Sequence, residues 1–478
     1  MKTPLFNALL QHVEKNPISY HVPGHKNGEV FYKKAEALYK DILKIDVTEL
    51  TGLDDLHQPK AAIEEAQLLT AALYDVQFSY FLVNGSTVGN LAMIMACCEE
   101  NEPVLVQRNS HKSIINGLQL AGALPVFLSP VMDFEYNVPS YVDIDTVKEA
   151  IKRYPNANAL ILTNPNYYGL ANSLKDIIKL AHNAGIPVLI DEAHGTHFIL
   201  GAPFPTSAIE YGADVVVQSA HKTLPAMTMG SYLHVNSRLV DQEKITRYLS
   251  ILQSSSPSYP IMASLDLARA YLEDCKETNK KEMILTSSSD LRNQLSLLNG
   301  IEVVNSKDSK IKTDPLKITV KSSQELTGFD LQTVFESNGI YGEMADVQNF
   351  LLVLPLKGNL MNPYKLTQIE NLLSGFQQNG EPKDNEQKRR TLNLNNIEPL
   401  EESYSQLKKR SKAVVPINGC VGMFAAESII PYPPGIPLFA VGEKITIEKM
   451  DRLQYLLRTE TNFQGDQHLQ AGNIAVYQ

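Results

Sequence analysis

The sequence predicts an α/β protein with a mainly parallel sheet, and three observations carry that reading. Short apolar runs alternate with helical stretches from about Ser79 to Val235. Several of those runs are apolar on both faces, as strands covered by helices on two sides must be. The stretches between them are long enough for the crossover helices that parallel pairing requires. The strand candidates, in order, are SYFLV (79–83), PVLVQ (103–107), LPVFL (124–128), ALILT (159–163), PVLID (187–191), DVVVQ (214–218) and SYLHV (231–235). Helices are expected between them over Thr87–Cys98, Ser113–Ala121, Asp143–Tyr154 and Ser173–Ala184.

The flanks read differently. The opening MKTPLFNALLQHVEKN forms a short amphipathic helix and lacks the uninterrupted apolar core of a signal peptide. Residues 260–298 read as consecutive helices, and 300–375 return to strands (IEVVN, PLKITV, NFLLVLPL) interleaved with helices. Residues 376–396 are polar, charged and nearly free of large apolar groups, which marks a linker. The expected organisation is an N-terminal segment (1–45), a large domain (46–299), a small α/β domain (300–375), the linker (376–396) and a C-terminal domain (397–478) that contains PYPPGIP (431–437).

Composition narrows the function classes. The 478 residues are 44% hydrophobic and 20% charged, ordinary values for a soluble globular chain. Lys plus Arg is 43 against 53 for Asp plus Glu, a net charge of −10. That balance argues against nucleic acid or an anionic membrane as the partner and suits a small cationic molecule. Cys97, Cys98, Cys275 and Cys420 show no disulfide-framework spacing, so a reducing, cytoplasmic setting is expected. No Cys-x-x-Cys or His-Glu-x-x-His pattern occurs, so no metal is expected. The best apolar run, Leu91 to Cys98, is far too short to cross a bilayer.

Four strand ends carry candidate chemistry. Lys222, in VVVQSAHKTL, sits at the carboxyl end of a strand, where open α/β sheets keep their ligand crevices. Desolvation there frees a lysine amine for Schiff-base formation, although a lysine in such a loop is commonly just solvated. Asp191 ends PVLID, where a carboxylate can hold a pyridinium nitrogen protonated, as a pyridoxal phosphate (PLP) enzyme needs; the alternative is a helix cap. The combination of an Asp-ended strand with a later strand running into Ser-x-His-Lys is far rarer than either part. In FLVNGSTVGN, Gly85 permits a tight turn and Ser86 and Thr87 open a helix, which suits phosphate or a simple cap. His111 in VQRNSHKS could stack on a flat ring or remain a polar surface residue.

Taken together, GLDDLHQP (52–59), FLVNGSTVGN (81–90), RNSHKS (108–113), DEAHGTHF (191–198), QSAHKTL (218–224) and SSSPSYPIMASLD (254–266) resemble the bacterial ornithine/lysine/arginine decarboxylases. HVPGHKNG (21–28) and ESIIPYPPGIPLFAVGE (427–443) extend the likeness over nearly the whole chain. The resemblance implies the aspartate-aminotransferase-like fold (PLP fold type I), in the compact form without an N-terminal wing domain. It implies PLP as cofactor, Lys222 as the Schiff-base lysine, Asp191 at the pyridine nitrogen and His111 stacked on the ring. Gly85, Ser86, Thr87, Ser219 and His221 would surround the phosphate or the Schiff base, with His194 beside Asp191. Ser254 and Ser255 would reach the phosphate of a neighbouring subunit, which implies a homodimer with shared active sites. The implied reaction is decarboxylation of arginine or lysine, ornithine less so, to a polyamine-type amine and CO₂, with His221 or Lys222 returning a proton to Cα. An acid should meet the distal positive charge of the substrate, and Glu427, Glu343 and Asp346 are the candidates. The chain departs from the family pattern at Asn166, where NPNYYG replaces a Thr-containing motif, and at Met229, where Gln is common. These departures keep two alternatives open: an aminotransferase of the same fold, and a PLP-binding homologue with altered or no catalysis.

Overall fold

Each of the apolar runs between Ser79 and Val235 is a strand in the computed structural model, displaced by at most a residue from its expected bounds. The structure describes residues 1–324, 326–358, 363–376, 396–432, 437–458, 462–464 and 468–478. All but the end residues of the expected linker, and the middle of PYPPGIP, lie outside the described residues. The chain forms two units. One comprises Met1–Cys97, Pro187–Ala202 and Thr206–Lys281; the other comprises Cys98–Ile186, Pro203–Pro205 and Glu282–Gln478.

In the first unit four strands lie in the order Phe78–Leu82, Ser231–Val235, Val215–Gln218, Val188–Asp191. The first two pairings are antiparallel and the last is parallel, with Asp191 opposite Val217. Every residue of the last three strands is buried, which explains their mainly apolar text. The helix Gly85–Cys97 buries Val88, Ala92, Met93 and Ile94 and packs on this sheet with glycine at the point of contact. A Cβ at Gly89 would sit 2.7 Å from Leu82 Cδ1 and 2.9 Å from Val217 Cγ1. The amphipathic opening helix is present as Pro4–Glu14; the buried Asp266 carboxylate accepts from Leu5 N and Phe6 N at 3.0 and 3.3 Å and pairs with Arg269.

A buried chain of hydrogen bonds crosses these strands. Ser79 Oγ donates to His234 Nδ1 (2.8 Å), His234 Nε2 to Gln218 Oε1 (3.3 Å), and Gln218 Nε2 to Glu192 Oε2 (2.6 Å). Burial pushes His234 down to about 3, so the ring is neutral, as this donor order requires. Glu192 also accepts from Ser207 Oγ and Ala208 N, each at 2.7 Å. Desolvation of the fully buried Glu192 outweighs those bonds and pushes its carboxyl up to about 8.

In the second unit Leu160–Thr163, Pro103–Gln107 and Leu124–Leu128 pair in parallel, and Ile397–Pro399 adds an antiparallel edge strand that the sequence did not announce. An antiparallel sheet of Ile301–Val303, Lys317–Ser322, Phe350–Val353 and Met344–Ala345 follows the expected strands of the small lobe. The C-terminal strands Lys412–Pro416, Asn473–Tyr477 and Phe424–Ala425, with the helix Ile447–Leu457, enclose their own core around Ile429, Phe439, Leu453 and Ile474.

Two stability predictions follow from the first unit. Gly89→Ala overpacks a dry helix–sheet contact and should cost about 1–3 kcal/mol in urea unfolding; an unchanged midpoint would mean that the helix can lift without loss. Glu192 holds its proton up to about 8 when folded but, at its ordinary 4.5, releases it earlier when unfolded. The folded state therefore binds the extra proton between those values, and stability should fall as pH rises through that window. Glu192→Gln should flatten that part of the pH–stability curve, and an identical slope in wild type and variant would contradict the assignment.

Candidate active site

Two neighbouring strand ends in the first unit lead to Asp191 and Lys222. The strand Val188–Asp191 ends on a buried carboxylate, and its partner Val215–Gln218 runs through Ser219 into the short helix Ala220–Thr223, which carries Lys222. Both Asp191 oxygens are met: Asn90 Nδ2 donates to Oδ2 at 3.0 Å, and Ala193 N donates to Oδ1 at 3.2 Å. Lys222 Nζ donates to His194 Nε2 at 3.1 Å, so the loop that leaves Asp191 also holds the lysine. Ser219 N donates to Ala193 O at 3.3 Å and draws the two strand ends together.

The opening of the helix Gly85–Cys97 joins this group. Ser86 Oγ and Ser219 Oγ form a short hydrogen bond, and Gly85 N donates to Met229 O at 2.8 Å. Gly85 takes φ +75°, the left-handed region, and a Cβ there would meet nothing within 4 Å. Met229 is left-handed as well (φ +77°), so what this position gives the turn is a backbone carbonyl. His221 Nδ1 donates to Gly230 O at 2.9 Å, which fixes the imidazole against the same loop. Thr87 is exposed at the helix start.

The exposed serines 254–256 are held from a second loop. His57 Nε2 donates to Ser254 O at 2.8 Å, and Tyr259 OH donates to Asp54 O at 2.5 Å. Asp54 itself accepts from the amides of Lys60, Ala61, Ile63 and Glu64, and so ties the GLDDLHQP turn to the next helix.

The remaining expected residues belong to the second unit. His111 caps the helix Lys112–Ala121, its Nδ1 accepting from Ser113 Oγ (2.9 Å) and Ser113 N (3.3 Å), which places the ring proton on Nε2. Glu343 accepts from Tyr167 OH at 2.6 Å, Asp346 accepts from Tyr168 OH, and Glu427 Oε1 accepts from Ala475 N at 3.0 Å. Asn166 is buried; its Oδ1 accepts from the amides of Tyr168 and Leu170, both at 3.0 Å, and its Nδ2 donates to Pro139 O at 3.0 Å. A threonine lacks the amide nitrogen for that third bond, so the departure at Asn166 shapes the turn.

Sequence reasoning missed Asn90 and Glu192. The signal for Asn90 was present: it stands one helical turn after Ser86, on the same face as the phosphate-type hydroxyl. Glu192 gave no signal, because an acid after a strand reads as solvated.

The donor set fits a flat, phosphate-bearing aldehyde such as PLP. An amine, a buried carboxylate with both oxygens supported, and a hydroxyl pair at a helix N-terminus converge at strand ends of the first unit. Among the described residues, no group of His, Cys, Asp and Glu is placed to hold a metal ion.

Comparison with known proteins agrees. Residues 3–361 match the Orn/Lys/Arg decarboxylase major domain, and residues 385–465 match the C-terminal domain of that family. The chain is 47% identical to the uncharacterized protein YaaO of Bacillus subtilis, over 100% of this chain and 99% of YaaO. It is 33% identical to the arginine decarboxylase of Bacillus subtilis, covering 94% of this chain and 92% of that protein. The fold is that of lysine decarboxylase A from Pseudomonas aeruginosa, with a TM-score of 0.82 at 19% identity over 99% of this chain and 80% of that one. The chain belongs to the Orn/Lys/Arg decarboxylase family and is a PLP-dependent amino-acid decarboxylase.

Proposed function

We propose that the chain decarboxylates a basic amino acid, arginine or lysine ahead of ornithine, and releases a polyamine-type amine and CO₂. The observation that carries this reading is the placement of Asp191 and Lys222 at and just beyond the ends of two adjacent parallel strands, joined through His194, in a chain with a 33% identical arginine decarboxylase as relative. When bound, PLP supplies the electron sink for the pair left behind by departing CO₂. Lys222 Nζ is the amine that would hold the cofactor aldehyde. Asp191, oriented by Asn90, would meet the ring nitrogen, and His111 would stack on the ring. Gly85, Ser86, Thr87, Ser219 and His221 would hold the phosphate end. His194 keeps Lys222 aimed at the reacting carbon, and either Lys222 Nζ or His221 returns a proton to the substrate Cα. The burial around Asp191 and Ser219 keeps water away and favours the amine product over side reactions. Glu343 and Glu427 are the acids proposed for the distal positive charge.

The working form in this proposal is a homodimer in which Ser254 and Ser255 of one copy reach the phosphate bound by the other. Two features support it. Those serines are exposed, and the N-terminal segment of the first unit displays Ile18 (79% exposed), Tyr20 (92%), Tyr32 (75%) and Leu38 (85%). Exposed large apolar side chains of one segment are available to an interface. A cytoplasmic setting is supported by the four free cysteines, of which Cys98, Cys275 and Cys420 are buried. Among the described residues no helix is long and apolar enough to cross a membrane.

Incubating the PLP-loaded protein separately with arginine, lysine and ornithine, and quantifying CO₂, amine and keto acid, tests the reading. Equimolar CO₂ and amine from arginine or lysine, abolished in Lys222→Ala, is the expected result. A keto acid without amine would make the protein an aminotransferase, and undiminished turnover in Lys222→Ala would refute the assigned lysine.

A further inference from the structure

Arg108 follows the strand Pro103–Gln107 and stands three residues before His111. Its backbone stays tied to the neighbouring strand, its amide donating to Leu128 O at 2.9 Å. Its side chain reaches elsewhere. The guanidinium donates through Nη1 to Pro437 O (2.9 Å) and through Nη2 to Leu438 O (3.1 Å) and Glu443 Oε2 (2.5 Å), while lying 5.2 Å over the Phe127 ring. Glu443 Oε2 also accepts from Ala440 N at 2.8 Å, and Glu443 Oε1 pairs with Lys449 Nζ at 3.4 Å, in the first turn of the helix Ile447–Leu457. The side chains of Arg108, Glu443 and Lys449 are 7%, 2% and 1% exposed, so two cations and one anion are shut away from water. All three lie in the second unit; Arg108 falls in the stretch that matches the major domain, and the other two fall in the stretch that matches the C-terminal domain.

Buried ion clusters are poor devices for stability, because desolvation offsets their attraction and apolar residues of similar volume serve as well. A guanidinium is better at fixing register. Its planar fork meets two carbonyls and a carboxylate in one orientation, which an ammonium cannot reproduce. The path from Arg108 to His111 has little slack, since Ser110 N donates back to Gln107 O at 3.2 Å and His111 is itself locked as the cap of the next helix. A displacement of the guanidinium anchor would therefore bear on the short, hydrogen-bonded backbone that carries the imidazole.

We propose that Arg108 is a positioning residue through which the C-terminal domain, by way of Glu443 and Lys449, sets the orientation of His111. The inference rests on the reading of His111 as the residue stacked on the cofactor ring. It makes the C-terminal domain part of the apparatus that aligns the ring, acting through a residue that touches neither cofactor nor substrate.

The test uses the full PLP-loaded chain and compares wild type, His111→Ala, Arg108→Lys, and the triple variant Arg108→Met/Glu443→Leu/Lys449→Met. Visible circular dichroism of the bound cofactor reports how its ring is held, absorbance titration gives the cofactor affinity, and thermal melting reports the fold. The triple variant should melt within a few degrees of wild type, yet its cofactor band should change in the same sense as in His111→Ala. Its kcat should fall by up to about a hundredfold, the cost of a misplacement of roughly 1 Å, with KM little changed. Arg108→Lys, which keeps the charge and loses the fork, should show the same band change. If the Arg108→Lys and triple variants keep the wild-type band and affinity while His111→Ala does not, the proposal is overturned and the reading of His111 stands. If His111→Ala itself keeps both, that reading falls and the proposal falls with it. Should the triple variant fail to fold, Arg108→Lys decides by the same two readouts.

Discussion

Asp191 ends a strand on which every residue is buried, and a carboxylate in that position is tolerable only when donors meet its oxygens. Asn90 and the Ala193 amide supply them. Much of the first unit follows from that requirement. Asn90 reaches the carboxylate because its helix lies close against the sheet, and it lies close because its neighbour is Gly89, where a methyl group would collide with Leu82 and Val217. The same helix opens on Gly85 and Ser86, so fixing Asn90 against Asp191 also fixes Ser86 against Ser219. One contact between a glycine and two strands thus sets the spacing between a carboxylate and a helix N-terminus.

The loop after Asp191 is held as firmly from below. Glu192 is bonded to Ser207, Ala208 and Gln218, and behind Gln218 stand His234 and Ser79. This network has no solvent to relax into, and its donor order runs from Ser79 through His234 and Gln218 to Glu192. The loop then turns back and presents His194 to Lys222. Preorganisation of this kind suits decarboxylation, in which the protein must hold one bond of the substrate in a chosen direction and keep water out.

The legible parts of the molecule were those where one physical pressure acted alone. Strands buried on both faces are written mostly in apolar residues, so VLID, VVVQ and SYLHV announced themselves. Asp191 and Lys222 stood out as the polar breaks at the ends of such runs. Asn90 was hidden because a single polar residue in an otherwise buried helix resembles a flaw in the pattern, and its meaning depends on a partner far away in sequence. The edge strand Ile397–Pro399 was hidden because its pairing to Leu124–Leu128 comes from a chain return that no local periodicity encodes. Charges were the least legible. Glu343 and Glu427 could be read as acids suited to a cation, but their donors Tyr167 OH and Ala475 N could not be read, and Arg108 read as part of a motif although its guanidinium bonds to Pro437, Leu438 and Glu443.

The central claim is that the ε-nitrogen of Lys222 is the atom to which the cofactor is bonded. Borohydride reduction of the PLP-loaded chain, followed by proteolysis and mass mapping, addresses it directly. The account predicts a single pyridoxyl adduct on the peptide that contains Ser219–Ala220–His221–Lys222. An adduct on any other lysine, or none in a protein that retains its visible absorption, would contradict it.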